Sequence, residues 1–98
     1  MYGLKDSDLV EILSALKKHP DITEAILFGS RAKGTQRPGS DVDIALKGNN
    51  LEQTVLQLSI ALNQESLMPY DFDIIDYNKI DNQALIDHID RVGKSIYP

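Results

Sequence analysis

The sequence predicts an α/β (α+β) fold: a small mixed β-sheet of three to four strands flanked by helices. Three observations lead there. Helical-period segments alternate with short strand-like runs, in the order helix, strand, short helix, strand, helix, strand, helix, as in layered α/β domains. Apolar residues make up 42% of the chain and charged residues 26%, the balance of an ordinary globular protein. No linker, repeat or low-complexity stretch divides the 98 residues. They are expected to form one domain, residues 1–98, burying about 60–70% of the unfolded surface in a single core.

The first helix is expected over Ser7 to Lys18, where Leu9, Ile12, Leu13 and Leu16 follow the i, i+3, i+4, i+7 pattern. Ser7 or Asp8 would cap it, Lys17 and Lys18 suit its C-terminal dipole, and Pro20 stops it. Ile22 to Phe28 is the first strand; its continuously apolar end, Ala25-Ile26-Leu27-Phe28, suits a strand covered on both faces. Ser30 to Lys33 is a short helical turn ending at Gly34, a favourable residue just past a helix end. Arg37-Pro38-Gly39 is a turn, and Asp41 to Leu46 the second strand. Leu51 to Asn63 returns to helical period, with Leu51, Val55, Leu58 and Leu62 on one stripe and Asn50 as cap. Asp71 to Asp76 is the third strand. Asp81 to Val92 is the last helix, capped by Asp81, with Leu85, Ile89 and Val92 inward and Ala84 or Ile86 adding to the stripe. Gly93 ends it, and Lys94 to Pro98 is a tail whose Ile96 and Tyr97 pack down or meet a partner.

The chemistry concentrates in Gly29-Ser30 and Asp41-Val42-Asp43. Strand alternation puts residues i and i+2 on one face, so Asp41 and Asp43 point together, with Cα atoms about 6.5–7 Å apart. Val42 and Ile44 point the other way, into a core. Paired carboxylates suit Mg²⁺, which takes hard oxygen ligands and is usually held by one or two carboxylates plus substrate phosphates. Gly29 lets the backbone turn tightly and approach a ligand. Ser30, opening a short helix, offers amides and a hydroxyl to phosphate oxygens. On the third strand Asp71, Asp73 and Ile75 share a face, opposite Phe72 and Ile74. A third carboxylate is wanted in two-metal phosphoryl chemistry, and Asp73 is chosen for it, with Asp71 as rival on the same face. His88, on the last helix beside Asp87 and Asp90, is expected to be solvated.

Gly29-Ser30, ten residues, then Asp41-Val42-Asp43 resembles the signature of the nucleotidyltransferase superfamily that includes DNA polymerase β. Within it the chain is most similar to the minimal nucleotidyltransferases of prokaryotes, the MntA-type antitoxins encoded beside a HEPN-domain toxin. The likeness spans the core motif, the later acidic strand and the ending Leu85…Ile89…Gly93…Ile96-Tyr97. It implies the polymerase β-like fold and Mg²⁺-dependent transfer of a nucleoside monophosphate from an NTP, with ATP as substrate, two metal ions as cofactors and pyrophosphate as leaving group. It further implies that Gly29 and Ser30 hold the β- and γ-phosphates, and that Arg31 or Lys33 offsets triphosphate charge. Asp41 and Asp43 would bind both metals. Asp73 would bind the catalytic one and activate the acceptor hydroxyl. In the resembling family that hydroxyl is a tyrosine of the HEPN toxin. The chain's shortness leaves no separate acceptor-binding domain, which favours an acceptor carried by another protein.

Composition narrows the alternatives. The net charge of −5 argues against direct nucleic-acid binding, which needs phosphate-neutralising cations. Charge is uneven: from Gly29 to Gly48, Arg31, Lys33, Arg37 and Lys47 oppose Asp41 and Asp43 for a local +2, leaving −7 elsewhere. A basic loop in an acidic chain suits a small polyphosphate. Cysteine is absent, which excludes disulfides, thiolate metal sites and cysteine nucleophiles. No apolar run reaches membrane-spanning length and the N-terminus lacks signal-peptide character, so a cytoplasmic protein is expected. Two other classes of function stay open: a non-catalytic antitoxin that occludes its partner, and a stand-alone transferase acting on a small molecule or nucleic-acid end.

Overall fold

A computed structural model describes residues 1–98. The elements are α1 (Asp6–Lys17), β1 (Ile22–Phe28), α2 (Ser30–Lys33), β2 (Val42–Gly48), α3 (Glu52–Asn63), β3 (Phe72–Asp76), a 3₁₀ turn (Tyr77–Lys79), α4 (Gln83–Val92) and β4 (Lys94–Tyr97). The strands form one mixed sheet in the order β3-β2-β1-β4. β1 is antiparallel to β2 and to β4, while β2 and β3 are parallel. A parallel pair needs a crossover rather than a hairpin, and α3 provides it.

Two helical layers cover the sheet. On one face α1 and α3 enclose the larger core, built around Ile12, Leu16, Leu27, Ile44, Leu46, Leu58 and Leu62. On the other, α4 sets Ile89 against Ile26, Phe28 and Ala45. β1 is therefore covered on both sides, which is the physical reason for its unbroken apolar end. Asn63, the last residue of α3, receives the Phe72 N–H on Oδ1 at 2.7 Å and donates Nδ2 to the Phe72 carbonyl at 2.9 Å. That pair locks the crossover onto the first residue of β3.

The fold class, β1 and α2 match the sequence expectation; several boundaries are corrected. α1 begins at Asp6, with neither Ser7 nor Asp8 as cap. Asp8 lies inside the first turn and is buried, accepting the Lys5 N–H at 3.0 Å. β2 starts at Val42, leaving Asp41 just outside it, and runs on to Gly48. Asn50 does not cap α3: it takes φ +53, and Leu51 precedes the helix without a side-chain bond. Thr54 is buried on the α3 stripe, where Val55 is only half-buried. β3 begins at Phe72, one residue later than expected. Asp81 is not the cap of α4: Asn82 is, its Oδ1 accepting the Leu85 N–H at 3.2 Å, and a 3₁₀ turn fills part of the gap after β3. The tail is the fourth strand: Leu27, Ile26 and Ala25 pair with Lys94, Ser95 and Tyr97.

Candidate active site

The sheet register builds the site. Phe28, the last residue of β1, pairs with Asp43, and Asp43 pairs in turn with Asp73 on β3. Cross-strand partners share a face, so Asp43 and Asp73 lie side by side on the α4 side of the sheet. Asp41 precedes Asp43 by two residues and joins it. The carboxylates sense one another. Burial pushes the Asp43 carboxyl above its ordinary value of 3.8; repulsion from Asp73 and then Asp41 adds to this, and Arg31 partly offsets it. Asp71 precedes β3, and its carbonyl accepts the Val42 N–H at 2.9 Å at the sheet margin. Asp73 is the better placed of the two rivals.

Gly29 turns the chain from β1 into α2. Its φ of +76 and ψ of −155 fall in a region open essentially to glycine alone. A Cβ there would collide with Asp43 Oδ2, so glycine is required twice over: for the backbone angle and for the carboxylate packed against it. Ser30 follows as the first residue of α2. The turn and the carboxylates therefore form one assembly. Gly34 closes α2 in the left-handed conformation.

Arg31 departs from the sequence expectation. It is 2% exposed and its guanidinium is engaged with the backbone. Nε donates to the Asp41 carbonyl at 3.2 Å, Nη2 to the Ser40 carbonyl at 2.8 Å and Nη1 to the Tyr2 carbonyl at 3.0 Å. Its Cζ lies 4.8 Å from the centre of the Tyr70 ring. Tyr70 donates its hydroxyl to Asp8 Oδ2 at 2.8 Å, which raises the phenol's pKa. Arg31 is thus a clamp on the loop that delivers Asp41, acting on the site through its field. Lys33 is exposed and remains the cation of the pair free to meet a phosphate. Sequence reading missed Tyr70, Asp8 and His88 here. His88 is half-buried and accepts the Gly29 N–H on Nε2 at 3.0 Å, so the solvated histidine expected from the helix pattern is corrected.

No three His, Asp or Glu side chains converge into a ready-made metal cage. Mg²⁺ is usually held by one or two carboxylates plus substrate phosphates, and Asp43 and Asp73 are a pair of carboxylates on neighbouring strands. The donors are all hard oxygens, and the mutual repulsion at Asp43 is of the kind a divalent cation relieves. Such an arrangement can place an anionic phosphoryl group between cationic charge and the Gly29-Ser30 turn.

A small mixed sheet presenting acidic residues on two parallel neighbouring strands, beside a Gly-Ser turn, is the architecture of a nucleotidyl-transferring domain. The chain belongs to the family described as "Polymerase beta, Nucleotidyltransferase", whose family model matches residues 10–98; it is a nucleotidyltransferase. Among solved structures it is similar to a chain of a toxin–antitoxin complex with AMP-PNP: 26% identity, TM-score 0.75, covering 92% of this chain and 73% of that one. An MntA–HepT toxin–antitoxin complex shares the fold at 21% identity and TM-score 0.69, over 95% of this chain and 72% of that one. So does a complex of tri-AMPylated Shewanella oneidensis HEPN toxin with its MNT antitoxin, at 21% identity and TM-score 0.63, over 96% and 72%. Comparison with curated proteins finds no significant match.

Proposed function

We propose that residues 1–98 form one minimal nucleotidyltransferase domain acting as the antitoxin of a toxin–antitoxin pair. It moves AMP from ATP onto a tyrosine hydroxyl of a HEPN-domain toxin in the cytoplasm, where Mg²⁺ and ATP are supplied. One observation carries this reading: Asp43 lies between Asp73 and Asp41, with its carboxylate against the glycine of the Gly29-Ser30 turn. The solved complexes with AMP-PNP and with an AMPylated toxin support the choice of nucleotide and acceptor. No helix is long and apolar enough to cross a membrane.

Asp41, Asp43 and Asp73 would hold Mg²⁺, which when bound supplies charge neutralisation on the phosphates and lowers the pKa of a hydroxyl beside it. The chain's own residues do the rest. Ser30 and the backbone of the turn hold the β- and γ-phosphates, and Lys33 offsets their charge. The acceptor oxygen attacks the α-phosphorus; the bond to the β-phosphate oxygen breaks and pyrophosphate leaves. Asp73, exposed on the edge strand, accepts the proton released by the acceptor. Positioning and electrostatics carry most of such catalysis.

Co-expression with the HEPN partner tests the proposal. Intact-mass analysis should show the partner gaining one or more AMP increments with wild type and none with Asp41→Asn or Asp43→Asn. A partner that stays unmodified yet is still silenced by both variants would establish occlusion instead.

A further inference from the structure

The Gly29 amide already has a partner. His88 lies 59 residues away on α4, and its Nε2 sits 3.0 Å from the Gly29 nitrogen, the N–H donating to the ring. Because the donor is an N–H, the imidazole accepts it through the Nε2 lone pair. The ring stands edge-on to Phe28, with centroids 6.2 Å apart and planes at 80°. Its chain neighbour Ile89 is buried in the small core, which fixes α4 against β1. His88 is therefore held from behind and aimed at one backbone atom.

That atom matters because of its conformation. Gly29 has access to more backbone states than any other residue, and the site uses a single one, at φ +76 and ψ −155. The N–H of Gly29 and the peptide that follows it lie on either side of the same Cα. With the first anchored, the φ and ψ of Gly29 set the orientation of the second, which carries the Ser30 amide.

We infer that His88 is a positioning residue. By accepting the Gly29 N–H it holds the Gly29-Ser30 peptide in the orientation that receives the nucleotide's polyphosphate, leaving Ser30 as the phosphate-contacting residue of the turn. This rests on the reading that the turn binds the phosphates. It removes the Gly29 amide from that role and assigns its acceptor.

The side-chain chemistry provides a discriminating series. Glutamine places an acceptor oxygen the same number of bonds from Cβ as Nε2. Asparagine is one bond short, and phenylalanine keeps the ring against Phe28 with no acceptor. AMP-PNP affinity with Mg²⁺ is measured by calorimetry, so that binding is read separately from transfer. The ¹⁵N–¹⁵N coupling across the N–H···N bond between Gly29 and His88 is measured by NMR on the free protein. The expected result is a resolved coupling, AMP-PNP affinity weakened about two- to tenfold in His88→Phe and His88→Asn, as loss of one such bond gives, and most of that recovered in His88→Gln. Wild-type affinity in His88→Phe, failure of glutamine to outperform phenylalanine, or absence of the coupling overturns the assignment. Wild type that binds AMP-PNP but transfers nothing refutes the transfer reading and leaves the series fully informative. Wild type that binds no nucleotide refutes both.

Discussion

Replacing Gly29 by alanine tests how tightly the turn and the carboxylates are built together. Alanine must adopt φ +76 and ψ −155, and its methyl must displace the Asp43 carboxylate. The backbone contribution is about 1–3 kcal/mol and the steric one about 1–3 kcal/mol more. A central value of about 4 kcal/mol corresponds in a chain of this size to a fall in Tm of about 16–32 °C. Gly39 supplies the control. It too has a positive φ, +81, but a methyl there meets nothing within 4 Å. Gly39→Ala should cost only the left-handed backbone penalty, about 1–2 kcal/mol. Thermal unfolding by circular dichroism reads both variants, and the Gly29 penalty should shrink toward the Gly39 value in an Asp43→Ala background. Equal Tm losses at the two glycines, or a Gly29 penalty undiminished without the carboxylate, would refute the packing of Asp43 on this turn.

Other consequences are equally direct. The raised Asp43 carboxyl means that the folded chain holds this proton more tightly than the unfolded one, so metal-free stability falls as pH rises from 3.8 through the folded value. Asp43→Asn should remove that slope, leave the protein at least as stable as wild type at neutral pH, and abolish transfer; urea titrations across the acidic range measure it. Arg31→Lys should lose about 2–4 kcal/mol in urea unfolding, because an ammonium cannot span the Tyr2, Ser40 and Asp41 carbonyls. Ile44→Ala, at a fully buried position on β2, should lose about 2–5 kcal/mol, whereas Leu67→Ala, fully exposed, should stay within about 0.5 kcal/mol of wild type in the same assay.

What could be read from the sequence was local. β1 announces itself because Ala25 to Phe28 meets a core on both faces, and α2 because Gly34 is a natural helix stop. Alternation predicts that Asp41 and Asp43 share a face; β2 begins at Val42, so Asp41 lies just outside the strand, still close enough to raise the Asp43 carboxyl. Asp73 lies inside the third strand and matches the third acidic position of the resembling family, and the register sets it beside Asp43. The remainder depends on distant partners. Lys94 to Tyr97 is too short to show a period and becomes a strand only because β1 offers an open edge. Asp8 reads as a helix-start residue, and its carboxylate does take the Lys5 N–H, but it also accepts the Tyr70 hydroxyl from 62 residues away. Arg31, in a basic loop, reads as a phosphate ligand. Only the folded loop brings three carbonyls around it, converting a free cation into a buried clamp. His88 sits on an otherwise polar helix surface, and nothing within α4 signals that its acceptor meets the amide of a glycine on another element.

Transfer of a nucleoside monophosphate directed by Asp41, Asp43 and Asp73 can be followed by isotope. The most direct measurement supplies α-labelled or γ-labelled ATP with Mg²⁺ to the purified protein and its HEPN partner, comparing wild type with Asp43→Asn. The expected result is α-label on the partner, γ-label released as pyrophosphate, and neither with the variant. Partner labelled from γ-labelled ATP, or α-label transferred undiminished by Asp43→Asn, would contradict it.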